Sequence, residues 1–203
     1  MAKENYEIVE SNDHLYQILI DDSKRLETPH GSVFQTPHKP IADLILEDLR
    51  LFGPESYTSG YSALSFAFTY DSWVCNDSVE QVREMLTTFN YEDDYWFNHA
   101  SEGMPPARVL WNHLFVDDNR ANDVRKWVQS LSGLQLAAVV VIYAVTDNIN
   151  MAYLFGQIID SGNNGKLTDL KNLYDNLLSS SIDSGQIERL FTLFRVFYTV
   201  ERR

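Results

Sequence analysis

The length, composition and charge of the chain favour one globular protein with a sizeable core and disfavour a nucleic-acid partner. Its 203 residues are 44% hydrophobic and 13% aromatic, more than a disordered chain of comparable charge carries. Lysine and arginine number 16 against 29 aspartate and glutamate residues, so the formal net charge of -13 repels a polyanion instead of neutralising it.

The first third of the chain predicts a small antiparallel sheet. Between Tyr6 and Phe34, short apolar stretches alternate with polar, turn-forming clusters such as Thr28-Pro29-His30-Gly31. Two or three short strands fit this alternation. The prolines at positions 37 and 40 interrupt it, so we place a small β region at residues 1–40 and a helical domain at residues 41–203.

The remainder of the chain predicts a series of helices. Apolar residues recur at spacings of three and four, and polar or glycine-containing turns separate the segments. The predicted helices are 41–52, 79–89, 107–115, 121–131, 134–147, 149–159, 167–178 and 187–200. The stretch 57–73 fits a helix or an extended segment. The expected fold class is therefore mainly α with a small β part (α+β), an N-terminal antiparallel β-hairpin region followed by a helical bundle.

Two of the predicted helices carry specific expectations for single polar residues. The first predicted helix has one apolar face, and this face includes an acidic residue; its members are Ile41, Leu44, Ile45, Asp48 and Leu49. Ser78 stands directly before the second predicted helix, where its hydroxyl is expected to accept hydrogen bonds from the free amides of the first turn.

The chain carries no recognisable motif for catalysis, metal binding or phosphate binding. It has no glycine-rich phosphate loop, no Gly-x-Ser-x-Gly elbow and no His-Glu-x-x-His pair. Its five histidines lie apart without the spacing of metal ligands, and a single cysteine, Cys75, cannot build a thiolate zinc site. We therefore expect no catalytic residue, no metal site, no cofactor and no enzymatic activity.

The sequence also predicts a cytoplasmic protein that does not insert into a membrane. Residues 1–10 are acidic and lack the apolar core of a secretory signal. The longest apolar run, 136–145, is far shorter than a bilayer-spanning helix. The single cysteine fits a reducing compartment.

The most distinctive local feature is an acidic and aromatic strip of six consecutive residues: Glu92, Asp93, Asp94, Tyr95, Trp96 and Phe97. One interpretation is a solvated helix start. A second is a partner-binding surface, since aromatic residues are enriched at protein interfaces. A third is a catalytic or magnesium site built from the carboxylates. We take the partner-binding surface as the functional hypothesis for this strip. The four tryptophans of the chain are likewise open to a core or an interface role.

The segment from Tyr16 to Gly31 and the helix after it resemble the opening of a known chaperone family. That family shows a strand, a Leu-x-Thr-Pro-x-Gly hairpin, a second strand ending in proline, and a helix that begins Leu-Ala. The matching residues here are Leu26, Thr28, Pro29, Gly31, Pro37, Ile41 and Ala42. On these residues the chain resembles the assembly chaperones for the ATP synthase catalytic sector, which hold the alpha subunit before the hexamer forms.

The resemblance implies a protein client, with the ATP synthase alpha subunit as the family's own, and neither a cofactor nor turnover. The chain departs from the family at Asp48-Leu49, where the family commonly has Glu-Trp. It also lacks the family's late acidic region followed by Trp-Gly between Lys166 and Arg203. These departures fit a bacterial relative with a changed client. An unrelated protein-interaction adaptor and a small carboxylate-dependent enzyme are the alternatives.

Overall fold

A computed structural model describes residues 5–21, 23–88, 120–146, 149–163, 165–177 and 184–202. Within these ranges the chain forms a three-stranded antiparallel sheet at its N-terminal end and then a succession of helices. The mainly helical α+β fold expected from the sequence is confirmed.

The sheet has the strand order β1-β2-β3, with β1 at Tyr6–Glu10, β2 at Tyr16–Ile20 and β3 at Lys24–Arg25. Tyr6 pairs with Ile20 at one end of the β1–β2 ladder. The Thr28–Gly31 turn closes as expected: the Gly31 amide donates to the Thr28 carbonyl at 2.9 Å, and Gly31 has a positive φ of 79° that suits a residue without a side chain. β1 lies at one edge of the sheet.

Helix α1 spans Lys39–Phe52 and packs against β1 and β2. Pro40 stands in its first turn, where a missing amide proton costs nothing. Ile41, Ile45 and Leu49 form its buried face, as their spacing predicts. The helix ends at Gly53, whose amide donates to the Leu49 carbonyl at 2.9 Å and whose φ of 76° suits glycine.

The stretch that the sequence left open, 57–73, divides between two elements. A 3-10 helix at Pro54–Ser59 follows α1 directly, and helix α2 spans Ala63–Cys75. Ser62 caps α2, since its hydroxyl accepts from the Ser65 amide at 3.3 Å. Buried residues lie on several sides of α2, so its sequence lacks the one-sided spacing that identifies a surface helix.

The remaining described helices follow in chain order: α3 at Val79–Thr87, α4 at Arg120–Ser130, α5 at Gly133–Thr146, α6 at Ile149–Ser161, α7 at Gly165–Leu177 and α8 at Ser184–Thr199, with a 3-10 turn at Val200–Arg202. Helix α5 is the most apolar and packs against α2, α6 and α8. The strands and helices share one hydrophobic core, to which the sheet contributes Tyr6, Ile18, Leu26 and Phe34.

No described helix has both the length and the apolar character needed to cross a bilayer.

One predicted detail is wrong. Ser78 makes no side-chain capping bond to helix α3; its hydroxyl instead donates to the Trp73 carbonyl at 3.5 Å, at the end of α2. Helix α5 has the side-chain cap that α3 lacks. The Ser132 hydroxyl accepts from the Gln135 amide at 3.2 Å, and the Gln135 side chain accepts from the Ser132 amide at 2.9 Å, which is a reciprocal capping box.

Candidate functional site

The acidic and aromatic strip predicted to bind a partner, Glu92, Asp93, Asp94, Tyr95, Trp96 and Phe97, lies outside the described residues. The site must therefore be sought in the described part of the chain. There, no group of three or more histidine, cysteine, aspartate or glutamate side chains is arranged to hold a metal ion. Three other features stand out: a buried ion pair, a network around a buried tyrosine, and an exposed apolar corner.

The buried ion pair joins α1 to α8. Asp48 is 0% exposed on α1, and its carboxylate accepts hydrogen bonds from the Arg189 guanidinium and from the Ala63 amide at the start of α2. Arg189 also donates to the Tyr61 carbonyl at 3.3 Å. We call this set, Asp48 and Arg189 with the backbone of Tyr61 and Ala63, the Asp48 joint. It fixes the last turns of α1 against two other elements.

Burial sets the ionisation of Asp48. Removal of the carboxyl from water raises the pKa of Asp48 above its ordinary value of 3.8, against the opposing effects of the Ala63 amide and Arg189. The neighbouring Glu47 carboxylate adds to the rise. Folding therefore disfavours the charged form of Asp48. The hydrogen bonds from the Ala63 amide and Arg189 compensate for only part of the lost hydration. Nothing about the Asp48 joint resembles a nucleophile and base in contact.

A second network surrounds Tyr198 near the end of α8. The Trp127 indole donates to the Tyr198 hydroxyl at 2.9 Å, and that hydroxyl lies 3.1 Å from the carboxylate of Asp160. Arg202 donates to the same carboxylate, and its guanidinium carbon lies 4.1 Å from the centre of the Tyr198 ring. We call these four residues the Tyr198 joint.

The Tyr198 joint is packed without space to spare. A Cβ at Gly156 would lie 2.9 Å from the Trp127 ring and 3.2 Å from the Tyr198 hydroxyl, so only glycine fits there. Burial raises the pKa of Tyr198, with the Trp127 bond acting in the opposite direction. Gln135 donates to the Tyr198 carbonyl at 2.7 Å and ties α5 to the same place. Together with Gln135, the Tyr198 joint connects α4, α5, α6 and α8, which is a structural role.

The exposed apolar corner is formed by Leu51 and Phe52 at the end of α1. Their side chains are 64% and 63% exposed, more than any other large hydrophobic side chain of the described residues. Gly53 ends the helix directly after them, so Phe52 lies past the core although its position continues the buried face of α1. The neighbouring Arg50 donates to the Tyr6 carbonyl at 3.0 Å and holds the corner beside β1.

The corner is rigidly built. The Asp48 joint lies one turn before it on α1, and Pro54 begins the 3-10 helix that follows it. Tyr57 of that 3-10 helix is partly exposed and packs on Phe68, with ring centres 5.8 Å apart. Large exposed side chains on a fixed support need little ordering when a partner covers them, which favours binding.

The sequence places Asp48 in an apolar helix face but does not indicate a role for it. A charged residue on an otherwise apolar face was the available signal for a buried ion pair. The corner had no comparable signal: the end of α1 was predicted at residue 52, but the exposure of Leu51 and Phe52 depends on how the elements around that end pack. The aromatic residues of the described chain are mostly core: Trp127, Phe66, Phe155, Phe194, Phe197 and Tyr198 are buried.

No protein-family model matches the chain, and no curated protein and no solved structure matches it significantly.

Proposed function

We propose that this chain is a non-enzymatic, protein-binding assembly chaperone of the cytoplasm, which covers an apolar surface of an unassembled subunit. The ATP synthase alpha subunit is the first client to test, on the strength of the Leu26–Ala42 resemblance. The observation that carries the proposal is the exposed apolar corner, Leu51 and Phe52, presented on a fixed support. Exposed apolar surface on a rigid element is a common feature of protein-binding sites.

One position at which the chain departs from the family has a structural role in this fold. Asp48 stands where the family commonly has glutamate, and the two residues carry the same charge. In this fold the Asp48 carboxylate is buried and accepts hydrogen bonds from the Ala63 amide and from the Arg189 guanidinium. A carboxylate at that place has a structural use, so the change from glutamate to aspartate preserves the chemistry.

A test of the client uses the purified protein and the separately purified, unassembled alpha subunit from the same cells. We expect the two to co-elute from a sizing column, and we expect the chaperone to suppress light scattering by the client on dilution from denaturant. Failure of the intact protein to bind would reject the alpha subunit as client. An adaptor for another protein would then be the better interpretation.

A test of the corner compares two double variants. Leu51→Ser with Phe52→Ser removes the apolar corner, whereas Val74→Ser with Met85→Ser removes two side chains that are 55% and 53% exposed elsewhere. We expect the corner variant to lose at least about tenfold in client affinity, since central apolar contacts dominate binding, and the control variant to bind as the unaltered protein does. Equal binding by both variants would place the client elsewhere.

The strip Glu92–Phe97 stays a separate prediction for the same client. Reversal of its three carboxylates, Glu92, Asp93 and Asp94, to lysine is expected to weaken binding if the strip contacts the client. Unaltered binding by that variant would remove the strip from the proposal and leave the corner as the remaining candidate surface. The comparison uses the same sizing assay.

A further inference from the structure

Strand β1 has an outer edge that no described strand covers. The sheet order is β1-β2-β3, and β2 pairs with β1 on one side and with β3 on the other. An edge strand offers a row of backbone groups that can accept an additional strand. The identity of these groups follows from the hydrogen bonds at the two ends of the β1–β2 ladder.

Alternate residues of β1 direct their backbone groups away from β2. The Asp21 amide donates to the Asn5 carbonyl at 2.9 Å, and the Ser11 amide donates to the Leu15 carbonyl at 2.8 Å. In an antiparallel ladder, hydrogen-bonded pairs alternate with non-bonded pairs, so Glu7 and Val9 bond to β2. The backbone groups of Tyr6, Ile8 and Glu10 therefore point outward.

At the start of this edge, one outward backbone carbonyl accepts a hydrogen bond from a described side chain. Arg50, beside the apolar corner, donates to the outward Tyr6 carbonyl at 3.0 Å. Within the described residues, the outward amides and carbonyls of Ile8 and Glu10 have no backbone or side-chain partner. The Arg50 bond thus links the start of this edge to the last turn of α1, which carries Leu51 and Phe52.

Charge indicates what kind of segment fits there. Glu7 and Glu10 are exposed along β1, whereas the exposed basic pair Lys24 and Arg25 lies on β3, across β2. A basic side chain opposite a glutamate on a neighbouring strand stabilises the pairing, and a like charge there destabilises it. Pairing β1 with β1 of a second copy would bring four glutamates together on chains that each carry a net charge of -13.

We infer that the outer edge of β1 docks an extended, basic segment of the client, which joins the sheet as a fourth strand beside the apolar corner. This inference rests on the proposed function for its client, but not for its chemistry. Backbone pairing at Ile8 and Glu10 supplies affinity, and lysine or arginine opposite Glu7 supplies the preference for a basic sequence.

Amide hydrogen exchange tests the inference residue by residue. On saturation with the purified alpha subunit, the Ile8 and Glu10 amides are expected to exchange at least about tenfold more slowly, because each gains a ladder hydrogen bond. The Glu7 and Val9 amides, already bonded to β2, serve as internal controls and change little. Binding of the client without protection at Ile8 and Glu10 overturns strand addition and leaves the chaperone proposal standing.

A second probe separates the two proposals if the alpha subunit does not bind. The probe is a synthetic heptapeptide of alternating lysine and valine, and its control replaces every lysine with glutamate. Protection of Ile8 and Glu10 by the lysine peptide alone supports the docking edge independently of the client. Protection by neither peptide nor client overturns it, as does protection that rises with the concentration of the protein by itself, since a second copy then occupies the edge.

A pair of variants at one position isolates the backbone contribution. Glu10→Pro deletes an outward amide without removing a β1–β2 bond, whereas Glu10→Ala keeps the amide and removes only the side chain. We expect proline to weaken binding of the client or the lysine peptide about tenfold, and alanine to weaken it no more than about threefold. Equal effects of the two variants contradict backbone pairing. The far-ultraviolet circular dichroism of both variants checks that the fold is retained.

Discussion

Helix α8 is held to the rest of the described structure by two joints of opposite design. In the Asp48 joint the ionisable group itself is buried, and Arg189 reaches it from partly exposed surroundings. In the Tyr198 joint a neutral phenol occupies the interior, and the charged Asp160 and Arg202 stay near the surface. The difference shows that one fold can accept a buried charge at one end of a helix and avoid it at the other.

The largest effect is expected from breaking the charged joint. Asp48→Ala leaves the Ala63 amide without its acceptor and Arg189 without its carboxylate, and we expect it to lower the free energy of unfolding by about 3 kcal/mol. The matched control is Asp43→Ala on the same helix, whose exposed carboxylate bonds Lys39 at 2.7 Å and contributes at most about 0.5 kcal/mol. Urea unfolding of both variants measures the difference. Equal losses would mean that the Asp48 joint contributes no more to stability than the exposed Lys39–Asp43 pair does.

The next effect is expected from crowding the neutral joint. Gly156→Ala places a methyl group against the Trp127 ring and the Tyr198 hydroxyl, so we expect a loss of about 2 kcal/mol in the free energy of unfolding. Trp127→Phe in the same chain shortens the ring that the methyl group meets. The double variant should therefore lose less than the sum of the two single variants. Additive losses would show that the contact at Gly156 is not responsible.

The two joints also differ in how far the sequence could predict them. Helices α1 and α5 were predicted because their apolar spacing and flanking prolines or glycines agree with the fold. Asp48 stood out as a charge on an apolar face, but Arg189 lies 141 residues further along the chain. No local pattern identifies a partner at that separation, since pairing depends on how α1 and α8 pack.

The neutral joint was less predictable still. Trp127 and Tyr198 lie within predicted helices, but the sequence left the tryptophans open to a core or an interface role, and the structure shows both side chains buried. Their mutual hydrogen bond depends on the close approach that Gly156 allows. For the candidate surface, the end of α1 at Phe52 agrees with the predicted helix 41–52, but the spacing of α1 continues through Phe52 and does not show that its ring lies outside the core. The exposure of the corner thus depends on the packing around that end, which periodicity does not encode.

A smaller effect is expected from removing one hydroxyl of the neutral joint. Tyr198→Phe keeps the ring and its stacking on Phe194 but leaves the buried Trp127 indole without an acceptor, so we expect a loss of about 1.5 kcal/mol. Tyr57→Phe is the control, because its partly exposed ring packs on Phe68 with no described hydroxyl bond. Thermal unfolding followed by near-ultraviolet circular dichroism compares the two. A loss in Tyr198→Phe as small as in the control would make the hydroxyl network dispensable.

The smallest effect, and the one that separates the joints most sharply, is the pH dependence of Asp48. Its pKa is higher in the folded chain than the ordinary value of 3.8, so folding favours the protonated carboxyl. The stability that this group contributes is therefore fully present below the unfolded-state pKa and is lost as the pH rises through the folded-state pKa. Asp48→Asn lacks this titration but keeps an acceptor for the Ala63 amide.

The measurement is the difference in free energy of unfolding between the unaltered protein and Asp48→Asn, taken at intervals from about pH 4 to pH 7. We expect this difference to shift against the unaltered protein as the pH rises, because ionised Asp48 bears the cost of lost hydration. A shift in its favour would mean that Arg189 and the Ala63 amide more than compensate for burial. The Tyr198 joint provides the contrast, since the raised pKa of its phenol confines its own titration to alkaline pH, outside this range.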